Sequence, residues 1–153
     1  MNKKNHWMNI FIPSLLNHSN NKNYNDALLE WNYIHTDYLD DGEFDKCICG
    51  HPIQEVCIIK NKINGVELHL GNCCINKITN LMNDKKIYNQ LINYKVGKEL
   101  ILFIEQKKIL DDFQLRFLTN VRNKRNISPR QFAFRKNLFD IIRSKTDLMV
   151  NEK

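Results

Sequence analysis

The chain has 153 residues, of which 42% are apolar and 10% aromatic, and its formal net charge is +6. That apolar share is enough for a core, which excludes a chain that is disordered throughout. No apolar run approaches the ~18 residues of a membrane-spanning helix, so a spanning helix is excluded as well. Residues 1–76 carry a net charge of −3 and residues 77–153 one of +9. This asymmetry indicates an anionic partner for the second half.

The chain begins with MNKKNHWMNIFIPSLL, a basic tip followed by a short apolar stretch. Trp7 and Asn9 interrupt the apolar stretch, Pro13 lies inside it, and no small-residue cleavage site follows. We therefore expect folded structure here and not a secretory signal peptide. Without such a signal, the five cysteines indicate a reducing compartment, where clustered thiols bind metal more often than they form disulfides.

An Asn-rich loop then leads into a predicted short helix over residues 26–35, with Asn23 or Asn25 as its N-cap. The apolar residues that fall at helical spacing in it are Ala27, Leu28, Trp31 and Ile34. We expect the Trp31 side chain to be a core anchor. The acidic residues 37–45 follow as a solvated connector, since they lack the spacing of a calcium loop.

Two close pairs of cysteines, Cys47-x-Cys49 and Cys73-Cys74, flank the next segment. Gly50 follows the first pair and permits the positive φ that a tight turn around a metal needs. Four thiols brought together in two pairs are the ligand set of a tetrahedral structural zinc site. The sequence therefore predicts Zn²⁺ at these four cysteines.

The segment between the two pairs predicts a β-hairpin. Residues 53–60 are rich in Ile and Val, Asn64-Gly65 favours a type I′ turn, and residues 66–70 return as the partner strand. A helix over residues 73–82 then begins with the second cysteine pair. A zinc knuckle, a hairpin and a helix in this order are the elements of a treble clef, and thiolates gain from the positive end of the helix dipole.

The adjacency of Cys73 and Cys74 leaves an alternative open. Consecutive side chains of a helix point about 100° apart, so one of the two could be replaced as a ligand by His51. We expect His69 on a strand face and Cys57 in the core. A closed four-thiolate site has no open coordination position, and no P-loop, G-x-S-x-G, H-E-x-x-H or paired nuclease histidines stand out, so enzymatic activity is disfavoured.

From residue 85 onward the pattern is helical. Ser128 and Pro129 mark the last helix as its N-cap and its first residue. We expect Phe132 and Phe134 in the core, although both could stack on bases. A basic cluster before and within the start of this helix is the predicted phosphate-binding site, and its residues are Arg122, Lys124, Arg125 and Arg130.

The middle of the chain resembles a set of small proteins of phages and large DNA viruses that have no established activity. The shared motifs are an A-x-x-E-W-like segment (residues 27–31), C-x-C-G-x-x-I (47–53), N-x-x-x-G (61–65) and G-[NS]-x-C-[IV]-x-[KR]-[FI] (71–78). In such proteins the residue before the last cysteine is frequently His or Cys, which favours Cys73 as a ligand. The resemblance implies a viral source and a treble-clef-like metal site.

The sequence thus predicts an α+β protein. Residues 1–84 form an N-terminal helix and a treble-clef-like zinc module, and residues 85–153 a basic α-helical extension packed on it. We expect a non-enzymatic viral accessory protein that holds structural Zn²⁺ and binds DNA or RNA through its basic half. The alternative is a zinc-stabilised interaction or structural subunit of a viral complex. The expected location is intracellular (host cytoplasm or nucleus, viral factory or virion), without membrane attachment.

Overall fold

A computed structural model describes residues 6–146 of the chain. The chain is mixed α+β and divides into two compact units, with the boundary between Met82 and Asn83. We call residues 6–82 the metal module, after the metal site predicted in it, and residues 83–146 the helical unit. Among the helices of these two described parts, none has the length and hydrophobicity needed to cross a bilayer.

The metal module is built from short helices around a small sheet. A π-helical turn, Trp7–Phe11, runs directly into the first α-helix. The remaining elements are α1 (Ile12–Asn17), α2 (Tyr24–Leu28), β1 (Trp31–Tyr38), β2 (Asp45–Lys46), β3 (Pro52–Ile53), β4 (Glu55–Asn61), β5 (Glu67–Leu70) and α3 (Asn72–Ile75). Helix α4 (Thr79–Ile92) crosses the boundary into the helical unit.

Strand β4 is the centre of a three-stranded antiparallel sheet with the order β1-β4-β5. Its residues 56–59 are all buried, so its backbone groups need partners on both edges. β5 supplies one edge, as the hairpin pattern predicts, and β1 supplies the other. The prediction of a helix through residue 35 is therefore wrong: the helix ends at Leu28, and tertiary pairing with β4 overrides the helical spacing that follows.

Two parts of that N-terminal prediction are confirmed. The Asn23 side chain accepts a hydrogen bond from the Asp26 amide and caps α2. Trp31 is 1% exposed, and its indole nitrogen donates to the Ser19 hydroxyl at 2.9 Å. The tryptophan is thus a core anchor, held from a strand and not from a helix.

The hairpin between β4 and β5 closes through residues 62–65 and not through a two-residue loop. A type I′ turn needs positive φ at both central residues, but only Gly65 of the Asn64-Gly65 pair has one, at +76°. The predicted turn type is therefore wrong. Asn61 organises the loop instead, because its side-chain oxygen accepts from the amides of Ile63 (2.9 Å) and Asn64 (3.1 Å).

The loop end of this hairpin is tied to the N-terminal segment by a buried carboxylate. Glu30 is 2% exposed and accepts from Asn20 N–H, from both nitrogens of Asn21 and from the side chain of Asn61. Burial raises the pKa of Glu30, and these hydrogen bonds outweigh burial and lower it overall. The contacts hold the loop before α2 beside the hairpin.

The helical unit continues from α4 with α5 (Lys98–Lys107), α6 (Asp112–Val121) and α7 (Pro129–Ser144). Capping boxes open the last two helices, with Asp111 and Gln114 at α6 and Ser128 and Gln131 at α7. The predicted start of the last helix is confirmed. The core of the helical unit is formed by buried aliphatic side chains of all four helices together with Phe139.

Candidate metal centre

The knuckle is a tight turn between β2 and β3, two short strands that pair antiparallel. The Cys47 amide donates to the His51 carbonyl at 2.9 Å, and the Gly50 amide donates to the Cys47 carbonyl at 2.8 Å. Gly50 has φ +95°, as the sequence predicts. Because this backbone conformation disfavours any side chain with a Cβ, glycine is the residue that lets the turn close. The turn directs both cysteines inward, where they are buried.

Helix α3 brings a third thiol to the knuckle. The sulfur atoms of Cys47, Cys49 and Cys74 lie within 4.8 Å of one another, and all three residues are buried. The approach of α3 depends on Gly71, since a Cβ on that residue would lie 2.7 Å from Cγ2 of Ile53. Glycine thus allows the strand after the knuckle and the start of α3 to pack closely enough for the thiols to meet.

The three thiols are coupled electrostatically. A hydrogen bond from Cys74 lowers the pKa of Cys47 to about 5, and the amides of Cys49 and Gly71 act in the same direction against the effect of burial. The same contact with Cys47, reinforced by burial, raises the pKa of Cys74. For Cys49 burial is the largest cause, and its pKa is raised. The protein alone therefore favours the ionised form of one thiol, whereas a cation would be needed to favour ionisation of all three.

Two histidines lie next to the thiols. His6 and His51 each place a nitrogen within 4.8 Å of the Cys49 sulfur and of one another, and their rings lie 4.4 Å apart at the centroids. His6 Nε2 is buried and has no hydrogen-bond partner among residues 6–146. A buried imidazole nitrogen without a partner is costly unless it binds something, and a metal ion is the ligand it suits best.

These residues form a candidate Cys/His metal-binding cluster in which Cys49 belongs to both groups. Sulfurs bound to one tetrahedral zinc at ~2.3 Å lie about 3.8 Å apart, so the thiols are within about 1 Å of that spacing. Amide groups that point at the sulfurs complete the surroundings expected of a metal thiolate site. By donor type and by spacing, the residues fit a metal ion.

The structure brings some of the predicted ligands together and leaves one apart. Cys47, Cys49 and Cys74 come together, and the alternative ligand His51 lies beside them. Cys73 is exposed and belongs to neither group, because it projects from α3 about 100° away from Cys74. His6 is the residue that sequence reasoning missed, and its isolated position near the N-terminus gave no spacing signal.

The two remaining candidates behave as predicted. Cys57 is 0% exposed within β4. His69 lies on β5, and its Nδ1 is 2.6 Å from an oxygen of Asp45. That contact joins the sheet to the strand before the knuckle, so His69 supports the centre without belonging to it.

A cavity of about 520 Å³ opens at the cluster. The thiols and both histidines line it, together with Trp7 and Lys77. The ammonium group of Lys77 lies 4.7 Å from the centroid of the Trp7 ring. The N-terminal segment thus forms one wall of the space around the candidate ligands.

The four predicted phosphate-binding residues lie around the connection between α6 and α7. We call Arg122, Lys124, Arg125 and Arg130 the basic turn. All four are exposed, and within residues 6–146 none of them forms an ion pair. The two phenylalanines that follow differ: Phe134 packs against the core, as predicted, whereas Phe132 is 55% exposed. The prediction that Phe132 lies in the core is therefore wrong, because the apolar residues of α7 extend beyond the face that the helix buries.

Comparison of the chain with family models, with curated proteins and with solved structures finds no match.

Proposed function

We propose that the metal module binds one structural Zn²⁺ and that the helical unit binds nucleic acid, as a non-enzymatic accessory protein of viral origin. The observation that carries the metal proposal is the cluster of three buried thiols, one of which, Cys49, also lies beside His6 and His51. Thiolate and imidazole together select zinc among the common divalent ions. The ligands are Cys47, Cys49, Cys74 and one histidine.

His6 is the favoured fourth ligand, since its buried nitrogen has no other partner, and His51 is the alternative. With four protein ligands the ion has no open position, so its role is structural and not hydrolytic. It joins the knuckle, the start of α3 and the N-terminal segment, which are far apart in sequence. Since the ligands meet only in the folded chain, binding free energy contributes directly to folding of the module. These elements have the order of a treble clef, and we propose that architecture for the site.

The nucleic-acid proposal is supported by the basic turn. Residues 83–146 contain 15 Lys and Arg against 6 Asp and Glu, a net charge of +9. Four of these cations are exposed within nine residues of chain, and the sequence around them holds no acidic residue to neutralise them. A surface of this kind attracts phosphates, and arginine can contact them through two hydrogen bonds at once.

The test is salt-dependent binding of labelled DNA and RNA, measured by fluorescence anisotropy with the full chain. One variant reverses the charge of the whole basic turn. A matched control reverses four other exposed cations of the same unit and so has the same net charge; its residues are Lys95, Lys98, Lys107 and Lys108.

The proposal predicts that the basic-turn variant loses most of its affinity, and that the slope of log affinity against log salt falls by up to about 3.6 for four phosphate contacts. The control variant retains the wild-type slope. If the wild type does not bind at low salt, or if both variants bind equally, the nucleic-acid role is refuted. The rival role, a zinc-stabilised subunit that docks on another protein, would then account for the module.

A further inference from the structure

The helical unit has a shallow depression with an aromatic and cationic lining. Tyr94, Phe132, Arg135 and Lys136 line it, and its volume is about 240 Å³. This is below the ~300–1,000 Å³ of most small-molecule pockets, so it suits a flat group lying on the surface better than an enclosed ligand. Both aromatic side chains are accessible there, with 55% of Phe132 and 37% of Tyr94 exposed.

Tyr94 occupies a position that usually belongs to glycine. It follows the C-terminus of α4 with φ +53°, and the Lys95 amide donates to the Gln90 carbonyl at 2.9 Å. This bond is the mark of a Schellman motif, in which the left-handed residue is most often Gly or Asn. A tyrosine is disfavoured there by its Cβ. The backbone therefore gains nothing from tyrosine, so any contribution of this residue comes from its ring.

The Tyr94 ring is held in place by residues of α7. The Arg143 guanidinium lies 4.5 Å from its centroid, and Nη1 donates to the tyrosine hydroxyl at 3.2 Å. The second terminal nitrogen of Arg143 donates to the Leu91 carbonyl at 2.6 Å, which fixes the arginine in turn. The Phe139 ring packs 5.4 Å away on the core side. The ring is thus oriented before any ligand arrives.

Cations also lie beside the Phe132 ring. The Arg135 guanidinium lies 5.6 Å from the Phe132 centroid, and Lys136 is exposed one residue further along α7. Among the residues that the structure describes, the lining of the depression contains no carboxylate. Oriented aromatic faces beside cations are the combination that binds unpaired bases, with stacking on the rings and phosphate contacts to the cations.

We propose that this depression is a stacking site for an unpaired base, which makes single-stranded nucleic acid the preferred ligand of the helical unit. The inference rests on the proposed nucleic-acid function and specifies its ligand. A base within a duplex offers only its edges, because its faces are stacked on its neighbours. Phe132 and Tyr94 can bind a base only where the strand is single.

The experiment compares a labelled dT12 strand with a duplex of the same length, by fluorescence anisotropy with the full chain. Two variants remove a ring: Phe132→Ala, at a side chain already half exposed, and Tyr94→Asn, which keeps a residue suited to left-handed backbone. The matched control is Phe113→Ala, because Phe113 is also exposed (69%) in the helical unit but lies outside the depression. Circular dichroism verifies that each variant is folded.

The expected result is a loss of single-strand affinity of about 5- to 140-fold for each ring variant, which is the range for one stacked base. Duplex affinity and the control variant stay within about twofold of wild type. The inference is overturned if both ring variants bind the single strand like wild type, or if single-strand and duplex affinity fall equally.

Failure of this inference differs from failure of the proposed function. If charge reversal at the basic turn weakens binding while the ring variants do not, the nucleic-acid role stands and the stacking site is refuted. If wild-type protein binds no oligonucleotide at low salt, both are refuted together.

Discussion

The adjacent cysteines of α3 offer the sharpest perturbation of the metal module. Cys74→Ser replaces a buried thiol of the cluster, whereas Cys73→Ser replaces an exposed thiol one residue earlier. Composition, charge and position in the chain are matched, so a difference between the two variants comes from the direction of the side chain alone. We expect Cys74→Ser to lose the metal and unfold the module, and Cys73→Ser to retain both.

The magnitude follows from the ligand count. Structural zinc contributes roughly 10–16 kcal/mol of apparent binding free energy in small zinc domains. Losing one of four ligands removes about a quarter of that, or about 2.5–4 kcal/mol. A domain has only about 5–15 kcal/mol of net stability, so the loss is decisive. Cys73→Ser is a surface change, for which we expect less than about 0.5 kcal/mol.

Metal content and urea unfolding measure the two effects. Trp31 is 1% exposed in the module, so its fluorescence reports unfolding of this unit. With a slope of roughly 1–3 kcal/mol per molar urea, the midpoint of Cys74→Ser shifts by at least about 0.8 M, or the variant is unfolded from the start. The reasoning is refuted if Cys74→Ser keeps stoichiometric metal, or if Cys73→Ser loses as much metal as its neighbour.

Three further changes test other parts of the structure. Gly71→Ala places a Cβ 2.7 Å from Ile53 Cγ2 and should lower the free energy of unfolding in urea by about 1–3 kcal/mol. Adding Ile53→Ala, which removes that carbon, should restore part of this free energy. Ser128→Ala removes the N-cap of α7 and should cost about 1 kcal/mol, whereas an equal cost for Ser144→Ala at the last helical residue would contradict the capping argument. Burial raises the pKa of Asp84 to about 6, against a smaller opposite effect of Lys107. Between about pH 4 and pH 6 the folded state therefore holds a proton that the unfolded state has released, so the free energy of unfolding falls as the pH rises through this range. Asp84→Asn should be more stable than wild type by about 1–2 kcal/mol at pH 7.5 but not at pH 4. An equal difference at both pH values would contradict this.

Much of the metal module could be read from local signals. The knuckle was identified by the Cys47-x-Cys49-Gly50 spacing, and the hairpin by two apolar stretches around Asn64-Gly65. These signals are local because a turn is determined by the residues within it. Strand β1 was missed because its apolar residues also fit helical spacing, and only pairing with β4 selects the strand. This pairing joins residues that are far apart in sequence. Within residues 31–38, the only local sign of a strand is the content of aromatic and β-branched residues.

The site shows the same division between local and tertiary information. Sequence spacing pointed to three of the clustered residues as candidate ligands, and the helical angle between Cys73 and Cys74 gave the reason why one would turn away. His6 could not be identified, because the fold alone brings the N-terminal segment to the knuckle. For a related reason, Phe132 was expected in the core, with base stacking as the alternative, and Tyr94 was missed. The exposed side of α7 depends on how the four helices pack, and a tyrosine in left-handed backbone carries no signal in the sequence.

The most direct test of the central proposal is elemental analysis of the full chain, purified without oxidation and dialysed against a weak chelator. The account predicts one zinc per chain, lost together with the near-ultraviolet circular dichroism of the module when a strong chelator is added. A chain that contains no stoichiometric zinc, or whose fold is unchanged when zinc is removed, would contradict it.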